Sequence, residues 1–248
     1  MNIKKETIDF LYVSYFGVLP ETIKSKGNAE LMWKCARRAY RDLNRTLRFA
    51  GKNDKEKETF SNEICKVIAA EMDNKILTAD ADQFDTYHAN ICEQIMELAQ
   101  KIGTFQKDFH FKYGQAQKWL NMTIKYMLLL GRWDDNLAPI REKLHIPVDN
   151  YILKAVWHED CPEDEKSGRL KNVDDLEKLT INIPFKEGRD KRSRKNKFSS
   201  DYIVAWSQWE KDQYIRFIDD LRKSAVLKGR SPIDWEGIAW MDQVAQES

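Results

Sequence analysis

Gly114-Gln-Ala-Gln-Lys118-Trp-Leu-Asn121 opens an apolar-periodic stretch that runs to Leu130, and Pro147-Val-Asp149-Asn-Tyr-Ile152 heads another. Ala116, Leu120, Ile124, Met127 and Leu128 recur at three- and four-residue spacing. The spacing predicts a helix over 115–130 that buries this stripe and leaves Lys118, Asn121 and Lys125 on a different side, with the lysine free for a cleft. Gly131-Arg-Trp-Asp-Asp-Asn136 and Pro139 mark a connection with a short helical turn through Ile140 to Leu144, and Asp149 then starts a helix to about His158. A lysine near the head of one helix and an aspartate at the head of the next make an amine and carboxylate pair. The positive end of a helix dipole disfavours an ammonium and so favours a nucleophilic amine. Helix-opening N–H groups after a glycine can approach a phosphate closely. Together these properties suit chemistry at a nucleotide sugar. The blander alternatives are an ordinary N-cap for Asp149 and a solvent-facing lysine for Lys118.

The rest of the chain reads as helix. Apolar residues keep helical spacing through Thr7 to Tyr15, Leu31 to Phe49, Phe60 to Met72 and Phe84 to Ile102, the last helix ending near Gly103. From Cys161 to Ser200 the pattern fades into charged sequence, broken by Leu179-Thr-Ile-Asn-Ile-Pro-Phe185, which suits a short strand or loop contact. Ser199-Ser-Asp201 is a helix-start signal for an amphipathic helix over Tyr202 to Leu221, and Ser231-Pro232 starts the last helix.

A hydrophobic share of 42% beside 33% charged residues is that of a soluble globular protein. The apolar run at Tyr126 to Leu130 is too short to span a bilayer, and the N-terminus lacks a signal-peptide cleavage pattern, so a cytoplasmic protein is expected. Cys35, Cys65, Cys92 and Cys161 stand far apart without a Cys-x-x-Cys pair, which speaks against a zinc or iron–sulfur site. His110, His145 and His158 are isolated, and no metal or cofactor is expected.

The net charge of +1 does not point to nucleic acid, but its distribution does. Between Lys34 and Lys52 the only acid is Asp42, and Arg37, Arg41, Arg45 and Arg48 fall on one side of a predicted helix. Lys186 to Lys197 is a second basic run. Either can neutralise phosphates, giving binding that weakens steeply with salt, although such runs are more often solvated surface.

At Gly114, Lys118, Asn121, Val148, Asp149 and Ile152 the chain resembles the helix-hairpin-helix DNA glycosylase superfamily. Phe111-Lys-Tyr-Gly114 stands where that family carries its glycine-rich hairpin, and Asn150-Tyr151 where Thr-His is commoner. The spacing from Lys118 to Asp149 is closer to the archaeal 8-oxoguanine glycosylase type than to the endonuclease III-like branch. The resemblance implies an all-α, two-lobed fold with the active site in the cleft between lobes. Residues 60–145 would form the central lobe, with a hairpin-like segment at 109–121. Residues 1–59 and 146–248 would form the second lobe, carrying a charged loop at 161–199.

It also implies a monomeric DNA glycosylase without cofactor or metal, acting on double-stranded DNA that contains a modified base, in repair or in defence against phage. Lys118 would attack C1′ and Asp149 would stabilise the oxocarbenium-like sugar. Lys112, Gly114, Gln115, Gln117, Arg37, Arg41 and Arg45 would bind DNA. Trp33, Trp119, Tyr113, Trp157, Trp206 and Trp209 are candidate pocket walls by residue type, each more often core. A non-catalytic helical DNA-binding module is the alternative.

Overall fold

The computed structural model describes residues 4–51, 53–160, 180–186 and 203–247. Among these the chain is all-helical, with two isolated β-bridges, Phe49 to Phe105 and Phe185 to Ile203. The α-helices are α1 (Lys5–Phe16), α2 (Asn28–Leu43), α3 (Asp54–Asn74), α4 (Phe84–Ile102), α5 (Tyr113–Leu130), the single turn α6 (Asp134–Leu137), α7 (Asn150–Asp160), α8 (Lys211–Lys223) and α9 (Pro232–Glu247). None is long and apolar enough to cross a membrane.

The chain divides into two compact units, Met1–Phe111 with Gln115–Lys143, and Lys112–Gly114 with Leu144–Ser248. Residues 1–59 join α3, α4 and most of α5 rather than the C-terminal part, because α2 packs its apolar face chiefly on α3. Leu31, Cys35, Ala36 and Ala39 of α2 and Ile64, Cys65 and Ile68 of α3 are sealed from solvent as a result.

Local chemistry sets the element ends. Asn53 caps α3, its Oδ1 accepting from the Lys55 amide at 3.1 Å and the Glu56 amide at 3.4 Å. The helix expected through Phe49 stops at Leu43. There the Thr46 hydroxyl donates to the Leu43 carbonyl at 2.8 Å, the local competition that ends helices at polar residues, and residues 44–46 tighten into a 3₁₀ turn. Arg45 and Arg48 therefore lie beyond α2. Between α4 and α5 the chain runs through Gly103 to Lys112 without a helix, pinned by the Phe105 bridge to Phe49 and by a hydrogen bond from the Phe111 amide to Gln100 at 3.4 Å. A turn closes within it, the Phe109 amide donating to the Gln106 carbonyl at 2.9 Å.

Aromatic rings fill the first unit around Phe60, with Phe49, Phe105 and Trp119 centred 5.3, 5.6 and 6.2 Å away. Trp119, fully buried, donates its indole N–H to the Ala36 carbonyl at 2.9 Å, which joins α5 to α2. Asp42 adds a polar tie. One carboxylate oxygen accepts from Arg38 at 2.7 Å and the other from the Tyr126 hydroxyl at 2.6 Å. Burial, reinforced by that carboxylate, pushes the Tyr126 phenol well up.

In the second unit α7 packs on α9, and Trp209, Tyr214, Phe217, Ile218 and Leu221 form the buried side of the α8 segment. The helix expected from Tyr202 begins instead at Lys211, while Tyr202 and the Ser199 to Asp201 signal lie outside the described residues. Trp209 is extended and turns its indole N–H back to the Val204 carbonyl at 3.0 Å, and Glu210 with Gln213 makes a capping box that starts α8. Ser231 begins α9, accepting from the Asp234 amide and donating to its carboxylate, with Pro232 at the favoured first position. Most of the charged loop at 161–199, Cys161 and the basic run after Lys186 also lie outside the described residues.

Burial pushes the thiols of Cys35 and Cys65 up, Cys65 to about 12. Since the thiolate is the reactive form, iodoacetamide at about pH 8 is expected to label neither cysteine in the folded protein and both in concentrated urea. Labelling of Cys35 under native conditions, read by peptide mass mapping, would contradict the sealed α2 to α3 packing.

Candidate active site

From Tyr113 to Asn121 every residue of α5 is buried, an arrangement an amphipathic surface helix does not have. This differs from the expected side-by-side division into a buried stripe and a polar side. Lys118 is 4% exposed and sits in the second turn, since the helix already begins at Tyr113. Lysine is almost never buried so far without partners, so the sequence has placed a costly group in the interior.

The interior around α5 in the first unit is polar and ordered. His88 of α4, fully buried, lies with Nε2 2.8 Å from Asn121 Oδ1, so the imidazole donates there. Asn121 passes the pattern on, its Nδ2 donating to Gln117 Oε1 at 3.0 Å. On the other side of the ring, Cys92 Sγ lies 3.8 Å from His88 Nδ1, within reach of a thiol donor. A one-way line of donors thus runs from Cys92 through His88 and Asn121 to Gln117, and every group named in it is fully buried. Gln115, also fully buried, donates through Nε2 to the Thr46 carbonyl at 3.2 Å and the Thr46 hydroxyl at 3.1 Å.

Sequence reasoning missed His88. Its signal was its place on the apolar face of α4 with Phe84, Ile91, Cys92 and Ile95, a pattern that reads as core. The same burial explains why Gln115 and Gln117 do not stand at a surface as expected for phosphate contacts. Their amides are used inside the unit.

In the second unit the Gly114 amide donates to the Trp209 carbonyl at 2.9 Å, so this N–H is already used where a phosphate was expected. A Cβ on Gly114 would lie 1.8 Å from the Trp206 carbonyl oxygen. The glycine is therefore needed for close approach of two backbones. Lys112 pairs with Glu210 at 2.6 Å, the residue that caps α8. The Tyr113 and His145 rings are both tilted against Tyr214, each with its centroid 5.6 Å away, and the Tyr214 hydroxyl lies 3.1 Å from His145 Nδ1.

Asp149 is 9% exposed. Its Oδ1 accepts the Ile152 amide at 3.0 Å, the expected cap of α7. The cap fixes the carboxylate against rotation. Lys118 belongs to the first unit and Asp149 to the second.

Of the DNA-binding candidates on α2 and beyond, Arg41 and Arg45 are exposed, as is Arg48. Arg37 is half-buried, hydrogen-bonds the Ser61 hydroxyl and lies over the Tyr40 ring at 5.6 Å. Trp119, Tyr113, Trp157, Trp206 and Trp209 are buried, and Trp33 alone of the aromatic candidates is half-buried. Among the described residues no group of three His, Cys, Asp or Glu side chains is placed to hold a metal ion.

No family model matches this chain, and neither a curated protein nor a solved structure matches it.

Gly114→Ala is expected to lower stability by about 2 kcal/mol or more, because the new methyl meets backbone rather than a flexible side chain. A urea melt that shows no loss would mean that the Trp206 to Trp209 segment gives way freely.

Proposed function

We propose that this chain is a DNA glycosylase that releases a modified base, with Lys118 as its nucleophile and Asp149 as its catalytic carboxylate. The observation that carries the reading is the burial of Lys118 among Gln115, Gln117 and Asn121 on a helix whose sequence resembles the glycosylase motif. A surface lysine would need no such setting.

In the proposed reaction the amine of Lys118 attacks C1′. The N-glycosidic bond breaks, its electron pair leaves on the base, and the base takes up a proton. The amine gives up a proton, the C1′–O4′ bond breaks with its electron pair leaving on O4′, which takes up a proton as the sugar ring opens, and the resulting Schiff base can either hydrolyse or undergo β-elimination with strand nicking. Asp149 stabilises positive charge at C1′ as the base departs. Its capping bond holds the oxygen in place, which is how an electrostatic group acts without reorganising during the reaction. Duplex phosphates would meet the exposed Arg41 and Arg45. The substrate would be an oxidised purine in repair, or a bulkier modified pyrimidine of phage DNA in defence.

Incubation with oligonucleotides and phage DNAs that carry different modified bases, in the presence of borohydride, tests this. Base release with a trapped covalent adduct is expected, and Lys118→Gln should remove the adduct and lower release by about a hundredfold or more. Asp149→Asn should lower release comparably at unchanged melting temperature, because asparagine caps as well as aspartate, whereas Asp149→Ala should also cost about 1 kcal/mol of stability. An adduct that persists in Lys118→Gln would move the nucleophile elsewhere. DNA binding without release from any substrate would favour the non-catalytic module.

A further inference from the structure

A cleft of about 310 Å³ opens on the first unit along α1 and α2, at the lower end of the size range of small-ligand pockets. Lys34, Arg37, Arg38 and Arg41 line it together with Tyr15 and Trp33, and no carboxylate is among its lining residues. The four cations are not equivalent. Arg38 is neutralised by Asp42, and its guanidinium lies 4.7 Å above the Tyr15 ring. Lys34 donates to the Gly17 carbonyl at 3.3 Å and stands 4.0 Å from Glu30. Arg37 and Arg41 have no carboxylate partner among the described residues, and Arg41 is exposed. The cleft thus carries uncompensated positive charge beside an aromatic ring that is 49% exposed.

Gly17 shapes the rim. It ends α1 in the left-handed conformation, at φ 65°, and returns its amide to the Val13 carbonyl at 2.9 Å. This turn aims the Gly17 carbonyl at Lys34 and leaves the Tyr15 ring at the cleft edge. The exposed Arg41 fork suits phosphate oxygens, Arg37 can add the N–H groups that its bond to the Ser61 hydroxyl does not use, and the Trp33 ring and the face of Tyr15 turned away from Arg38 suit a planar heterocycle.

We propose that this cleft binds a nucleoside phosphate, with the phosphate on Arg37 and Arg41 and the base stacked against Tyr15 or Trp33. The ligand is either a free nucleotide or one unpaired nucleotide of a DNA strand, which share this chemistry. The site shares Arg41 with the duplex-phosphate contacts of the base-excision reading but uses neither Lys118 nor Asp149.

Calorimetric titration of the full chain with a deoxynucleoside monophosphate, with a short single-stranded oligothymidylate and with inorganic phosphate tests the assignment. Binding of at least one of the first two is expected, tighter than inorganic phosphate and weakened by salt. Arg41→Glu and Tyr15→Ala should each weaken it by about tenfold or more, and both residues are exposed enough that thermal melts should confirm intact folding. Tighter binding of the monophosphate would point to a free nucleotide as the ligand, and tighter binding of the oligonucleotide to a strand. Lys118→Gln should bind as the wild type does even if base release fails altogether. Binding that survives Arg41→Glu, inorganic phosphate binding as tightly as the nucleotide with Tyr15→Ala silent, or no binding to either nucleotide ligand would each overturn the proposal.

Discussion

Complete burial of the first turns of α5 is the constraint on which the rest of the structure depends. A helix that exposes no side must satisfy every polar side chain from within the protein, and Gln115, Gln117, Lys118 and Asn121 all fall in that stretch. Replacing them by apolar residues would build a simpler core. Their retention asks for neighbours at fixed positions, and the residues supplying those neighbours are spread through the sequence. Thr46 accepts Gln115, and His88 meets Asn121. The turn after α2 and the face of α4 are thereby set in register with α5 by hydrogen bonds, which are directional, rather than by apolar contact, which is not.

The apolar core around this stretch is ordinary by comparison. Trp119 fills the space beside Phe60 and Tyr40, and its indole N–H is satisfied by a helix carbonyl. The polar groups of Asp42, Arg38 and Tyr126 lie nearer the surface and are held by a carboxylate whose two oxygens have separate donors. Two styles of joining helices coexist in the first unit, one dry and aromatic, the other polar and directional.

Helical periodicity was legible wherever a helix has one apolar side. The bounds of α4 agree with its pattern, and α7 and α9 start at Asp149 and Ser231 as their capping residues indicate. The pattern failed where side-chain chemistry interrupts it. Apolar spacing continues from Leu43 to Phe49, but Thr46 bonds back to the backbone and the helix is already over. The aromatic spacing at Trp206 and Trp209 likewise resembles helix, yet Trp209 is extended and Glu210 provides a fresh start. For α5 the expected polar side follows from the assumption that polar residues face water, which a fully surrounded helix does not obey. The candidate lysine and aspartate were visible as residue types in a motif. The buried pairing of His88 with Asn121 was not, because it depends on how two helices meet, and neither residue marks that meeting in one dimension.

The helix α5 also crosses the division of the chain. Gly114 is anchored in the second unit by the Trp209 carbonyl, and Gln115, the next residue, is anchored in the first by Thr46. The amide of Gly114 is therefore expected to exchange its hydrogen with opening of the second unit, and the amides in the later turns of α5 with opening of the first, so that one continuous helix carries two exchange rates.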